Sequence, residues 1–293
     1  MLSRRRLLVS GLIATGGATL ALPAWARVEA DSLKFETVPI PIVGLEAPLR
    51  VAQLSDIHWD HRSVPWNSIE QAIDYINAAE VDLVALTGDF VTYDPAPIFE
   101  LAPALGRLRA RHGLFAVLGN HDNAHPRGAR TIKKALAREQ IVLIENRWTA
   151  VASLAVGGTG DLWHGPFEPE RVLMPLRGRR PLLLLSHNPD GFWRLGEQRL
   201  DLQLSGHTHG GQVRLPGVGP VLALKNRLGD RLRRYLPELG DSLQKHAIIR
   251  TNSWAGLYGQ GKNCLYVSRG MGRFKRLSIG CPPEVTIIDL IPA

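Results

Sequence analysis

Cysteine is nearly absent: among 293 residues only Cys264 and Cys281 occur. Two thiols cannot make the disulfide framework that holds small secreted domains together, and without CxxC spacing they do not form a structural zinc site. An oxidising compartment would permit them to pair, and two inert thiols fit equally well. The chain also lacks an internal repeat, a low-complexity tract and a linker rich in Pro, Gly or Ser. One domain over residues 27–293 is therefore the simplest organisation. Acidic residues are missing from residues 1–26, which instead read Ser3, Arg4, Arg5, Arg6, an apolar run from Leu7 to Leu22, then Pro23-Ala24-Trp25-Ala26. The run falls short of the roughly 20 residues a spanning helix needs, and Gly11, Gly16 and Gly17 interrupt it. That layout is a signal peptide with a small-x-small cleavage site rather than an anchor. Its paired arginines resemble a twin-arginine export signal, which carries folded proteins, whereas an ordinary secretory signal uses arginines only as its positive region. An exported, periplasmic or envelope location follows from either reading.

The formal charge is +8 for the whole chain, and removal of Arg4, Arg5 and Arg6 leaves about +5, too modest to argue for a nucleic-acid partner. Apolar residues make up 45% of the chain, enough for a sizeable core. Five short apolar runs stand out: 49–54, 81–86, 114–118, 182–185 and 200–204. Their length and lack of alternation mark buried strands. Segments with helical spacing lie between the early ones (Ile69, Ile73 and Ile76; Leu101, Leu105 and Leu108; Ile132 and Leu136), so strand and helix alternate, the pattern of an α/β protein. Further strands are expected at 153–156, 264–268 and 285–290. One stretch, 215–244, breaks the rhythm with Pro216, Pro220 and a basic segment, Leu222 to Leu236. Such a segment can lie on an anionic membrane surface or over a phosphate-rich substrate, although the solvated face of an ordinary helix is the commoner outcome.

Each of the five main runs ends in residues able to hold a hard or borderline cation: Asp56 and His58; Asp89; Asn120 with His121 and Asp122; His187; His207 and His209. Open α/β sheets bind ligands beyond the carboxyl ends of their strands, so these side chains are expected in one crevice. Gly88, Gly119 and Gly206 precede ligand positions, where a crowded centre needs close backbone approach. Four histidines, two aspartates and an asparagine exceed one tetrahedral ion and suit two ions sharing a carboxylate, with Asp89 the natural bridge. Imidazole, carboxylate and amide oxygen without thiolate favour Mn, Zn or Fe, Mn first.

In order, DIH (56–58), GD (88–89), GNHD (119–122), His187 within SHNPD, and GHTH (206–209) resemble the signature of the calcineurin-like metallophosphoesterase superfamily. The SHNPD form, the YVSRG and PPEV stretches near 266 and 282, and the leader are similar to its exported bacterial phosphodiesterases of the YkuE/YaeI type. The resemblance implies a four-layer sandwich of two mixed β-sheets flanked by helices. It puts Asp56, His58, Asp89 and His209 on one metal and Asp89, Asn120, His187 and His207 on the other. His121 is implied as general acid or electrostatic clamp, oriented by Asp122, while a hydroxide held between the cations attacks phosphorus; an Asp after a loop histidine can equally cap the next turn. Small-molecule or lipid-linked phosphodiesters are the expected substrates. A phosphomonoesterase, or a non-catalytic metal- or lipid-binding protein on the same fold, is the alternative, and the HxHxDH run of the fold's lactamase-like relatives is absent. Arg269 is left between a phosphate contact and a solvated charge, Trp163 and Trp254 between a substrate rim and packing. His61, His112, His125, His164 and His246 fit no motif.

Overall fold

A computed structural model describes residues 26–176, 180–196, 198–236, 238, 249 and 251–293. The leader 1–25, His246 and the end of the basic stretch lie outside the described residues. Two six-stranded sheets form the centre. The first runs β1 (Lys34–Ile42), β14 (Glu284–Pro292), β2 (Leu49–Leu54), β3 (Leu83–Leu86), β4 (Leu114–Ala116), β5 (Val142–Leu143), parallel except where β14 opposes β2. The second runs β12 (Gly256–Gln260), β13 (Asn263–Val267), β9 (Leu202–Ser205), β8 (Leu182–Leu185), β7 (Leu154–Gly158), β6 (Arg147–Val151), with antiparallel outer pairs. A two-residue ladder joins β10 (Arg214–Leu215) to β11 (Gly219–Pro220).

Helices α1 (Trp66–Ala78), α2 (Ile98–Leu105) and α4 (Gly128–Arg138) cover the outer face of the first sheet, burying Ile69, Ile73, Leu101 and Ile132 against it. Those residues recur at helical spacing, which is why the segments coil and which face they hide. Val51, Leu83, Leu183 and Leu204 belong to the core between the sheets. Helix α5 (Glu170–Leu176) and the 3₁₀ turn Pro189–Arg194 close the second sheet through Val172 and Phe192. The result is the expected four-layer sandwich of helix, sheet, sheet and helix. The short helix α3 (Asn120–Ala124) and α6 (Val221–Arg233) stand at the end of the molecule that carries the site. No helix among the described residues is long and apolar enough to cross a membrane.

The structure adds β1, β5, β6 and β12 to the strands expected from apolar runs. β1 (KFETVPIPI) carries Pro39 and Pro41, which interrupt the apolar pattern. It is the edge strand beside β14, and two prolines two residues apart direct both missing N–H groups toward one side, compatible with a free edge. The strand seen from Val81 starts at Leu83; just before it, the Asp82 carboxylate accepts the Arg50 amide (2.8 Å).

Leu204 is fully buried between the sheets, three residues before His207. Leu204→Ala is expected to cost about 2–5 kcal/mol of unfolding free energy, measurable by denaturant titration. A loss below about 1 kcal/mol would contradict this account of the inter-sheet core.

Candidate metal centre

Strands β2, β3, β8 and β9 and the loop after β4 deliver the candidate ligands to one end of the sandwich. Asp56, His58 and His209 offer ligand atoms within 4.8 Å of one another, and Asp89, His187 and His207 do the same. A third set, His58, Asp89 and His121, overlaps both. Asp89 is the hub: its Oδ2 lies 3.4 Å from His58 Nε2 and 3.2 Å from His187 Nε2. Its Oδ1 accepts the His121 amide at 2.9 Å. Asn120 Oδ1 lies 3.1 Å from His187 Nε2, so this residue joins the second group.

Backbone carbonyls set the rings. His187 Nδ1 lies 2.8 Å from the Thr87 carbonyl and His209 Nδ1 3.0 Å from that of Gly272. A carbonyl only accepts, so each Nδ1 carries a proton and each ring turns its Nε2 toward the centre, where a cation would take the lone pair. His58 Nε2 is buried with no hydrogen-bond partner, and His187 Nε2 stands 3.2 Å from His207 Nδ1. Buried, unpartnered and mutually facing lone pairs are costly alone and sensible around divalent ions. The donor set therefore fits two such ions.

Burial pushes His58 down to about 3, and burial together with the Arg273 charge does the same to His209. Neither ring holds a proton that a metal must displace near neutral pH. Burial works against the charged forms of Asp89 and His187, yet their mutual attraction prevails. Asp89 is held well below the usual carboxylate range and His187 is raised to about 10. A cation at this position takes the place of the His187 proton.

Five candidate ligands have left-handed backbone, with φ of 49° at Asp56, 50° at His58, 55° at Asp89, 71° at His207 and 49° at His209. Each such non-glycine residue costs about 1–2 kcal/mol, a pattern of strain concentrated at functional sites. Nothing in the residue types signals it. Glycines make room: a Cβ on Gly206 would fall 1.9 Å from Ser55 Oγ and 2.1 Å from Asp56 Oδ2, and one on Gly119 would fall 2.1 Å from Asp89 Oδ1.

Of the two readings of Asp122, the structure shows the cap: Asp122 closes a capping box at the start of α3. This fully buried carboxylate accepts the backbone amides of Asp89 (2.8 Å), Gly119 (2.9 Å), Phe90 (2.9 Å) and Val91 (3.3 Å). It thereby clamps the loops of two motifs together. The group on His121 Nδ1 is the Thr92 carbonyl, at 2.5 Å. Burial and the Asp89 charge push the Asp122 carboxyl up to about 8 against its N–H donors, and a cation on Asp89 would offset the second cause.

Arg273 is a structural residue that no sequence motif marked. It is fully buried and donates to the carbonyls of Arg269 (2.8 Å), Gly270 (3.2 Å), Gly272 (2.8 Å) and Cys281 (3.3 Å). It thus fixes the turn whose Gly272 carbonyl orients His209. Arg269 is neither a free nor a fully solvated charge: it pairs with Glu284 at 2.7 Å and with Glu36. Trp254 is buried packing beside Ala223 and Ile249. Trp163 is 43% exposed and meets the His207 ring edge-on at 4.6 Å. Both cysteines are free thiols.

A cavity of about 480 Å³ opens over Asp89, Asn120, His121, His207 and His209. Its far wall is apolar, built from Trp163, Val213, Val221, Leu222 and Phe274.

Comparisons with known proteins agree with this geometry. The calcineurin-like phosphoesterase profile matches residues 49–211, the span that carries all seven candidate ligands. Phosphodiesterase YaeI of Escherichia coli (strain K12) is 31% identical over 99% of this chain and 100% of its own length. Uncharacterized metallophosphoesterase YkuE of Bacillus subtilis (strain 168) is 26% identical over 97% and 93%. UDP-2,3-diacylglucosamine pyrophosphatase LpxG of Chlamydia trachomatis is 25% identical over 95% and 97%.

Two substitutions separate clamp from catalyst. Asp122→Ala leaves four buried amides without their acceptor, at about 1–3 kcal/mol each if nothing relaxes. It is expected to lower thermal stability and to deplete bound metal. Unchanged stability and metal content with a lower rate would restore the orienting role. Gly206→Ala is expected to retain a folded circular dichroism spectrum but lose metal by elemental analysis, and full loading would contradict the steric reading.

Proposed function

Because this chain belongs to the calcineurin-like phosphoesterase family, a family of phosphoester hydrolases, we propose that its substrate is a phosphodiester and that it acts outside the cytoplasmic membrane. The observation that carries the reading is the gathering of six other ligand-type side chains about Asp89, with Asp89, Asn120, His207 and His209 lining an open cavity beside His121. The name of the E. coli relative supports the diester preference. The apolar far wall supports a substrate that carries a nonpolar group, including a lipid-linked one, consistent with the diacyl substrate named for the chlamydial relative. The paired-arginine leader supports export in folded form.

Asp56, His58, Asp89 and His209 would hold one divalent cation, and Asp89, Asn120, His187 and His207 the other, with Mn favoured by the donor set. When bound, two such ions polarise the phosphoryl oxygens and lower the pKa of water enough to supply hydroxide near neutral pH. The remaining steps fall to the chain. The imidazolium form of His121 holds one proton on Nδ1 against Thr92 and offers the other, on Nε2, to the leaving oxygen. The same charge balances negative charge that builds on the phosphoryl group in the transition state. Trp163 and the apolar wall exclude water from the leaving-group side.

Asp89→Asn is expected to abolish hydrolysis of a chromogenic diester and to lower metal stoichiometry. Normal turnover would refute a shared carboxylate. His121→Ala should keep its metal while losing about 10²–10⁴ in rate toward esters with poor leaving groups, and less with nitrophenolate. Loss of metal in that variant would make His121 a ligand, in line with its grouping beside His58 and Asp89. With Mn²⁺ present, faster turnover of a nitrophenyl monoester than of the diester would overturn the diester preference.

A further inference from the structure

Helix α6 buries Ala223 and Gly229 and turns Val221, Leu224 and Leu228 outward, with exposures of 40%, 39% and 50%. Their i, i+3, i+7 spacing forms one stripe along the helix. Leu215 and Val218 before it, and Leu236 after it, are also exposed. An exposed apolar stripe on one helix face, with exposed apolar residues in the segments that flank the helix, indicates contact with something nonpolar. Cations border the stripe: Lys225, Arg227, Arg231 and Arg234, against the single acid Asp230. The helix spans 13 residues, too short to cross a bilayer and suited to lying in its interface. At its N-terminal end Val221 and Leu222 line the catalytic cavity, so the stripe begins at the cavity mouth.

We propose that the face formed by Leu215, Val218, Leu224, Leu228 and Leu236 docks on an anionic lipid bilayer, with Arg227 and Arg231 against lipid phosphates and the cavity mouth at the membrane surface. Charge selects this occupant over a second copy of the chain. A two-fold dimer through the stripe would set Arg227 and Arg231 near their own copies, whereas an anionic surface neutralises them. Presentation of a lipid-linked phosphodiester to the cavity rests on the proposed function; the docking itself does not.

Hydrogen–deuterium exchange of the full, Mn-loaded chain with phosphatidylglycerol or phosphatidylcholine vesicles locates the contact independently of the leader. Amides across 215–236 are expected to gain protection with phosphatidylglycerol, less with phosphatidylcholine, and less at high salt. Leu224→Gln/Leu228→Gln and Arg227→Gln/Arg231→Gln change exposed positions, so both variants should fold. Each is expected to weaken that protection and lower vesicle affinity by about tenfold or more, while hydrolysis of a soluble chromogenic diester stays at the parent rate. The proposal is overturned by protection confined to the leader, by undiminished protection in both variants, or by lipid-free protection of 215–236 that rises with protein concentration, the sign of self-association. Protection of 215–236 in a preparation inert toward diesters would uphold the docking and defeat the phosphodiesterase reading.

Discussion

The Asp122 carboxylate holds the centre together through four backbone amides that converge on it from the segment around Asp89 and from Gly119. Asp89 faces both His58 and His187 from a backbone in the left-handed region. That conformation is unfavourable for an aspartate by itself. The clamp fixes it, and the inter-sheet core beneath keeps β3, β8 and β9 in register under the loops. Carbonyls of Thr87, Thr92 and Gly272 then set three histidine rings, so the backbone orients most of what the side chains do.

Much of this was legible in the sequence because it is written in residue type and order. Buried strands announce themselves as short apolar runs, and ligand-bearing residues after each run imply a common crevice at strand ends. Gly119 and Gly206 mark close approach, which the contacts a Cβ would make at those positions bear out. Edge strand β1 was hidden by Pro39 and Pro41, which count against a strand only when its amides are needed. Asp122 was legible as a possible cap, but the amides of Asp89, Phe90 and Val91 that its oxygens also take come from a distant segment and need the backbone geometry. Arg273 carried no signal of its own; only the turn around it reveals the four carbonyls to which it donates.

The cavity is divided chemically. Its floor gathers imidazole and carboxylate, its far wall tryptophan, phenylalanine and aliphatics. A phosphate ester with a nonpolar portion satisfies both halves, and a highly charged small molecule only the floor. The apolar part of the lining meets the exposed stripe of α6 at Val221.

The central claim is that one carboxylate joins two cations. Anomalous diffraction from crystals grown with Mn²⁺ tests it most directly. Two peaks about 3.5–4 Å apart, both within bonding distance of Asp89, are predicted, one beside Asp56 and His209 and the other beside His187 and His207. A single peak, or a pair that leaves Asp89 unbound to either ion, would contradict the account.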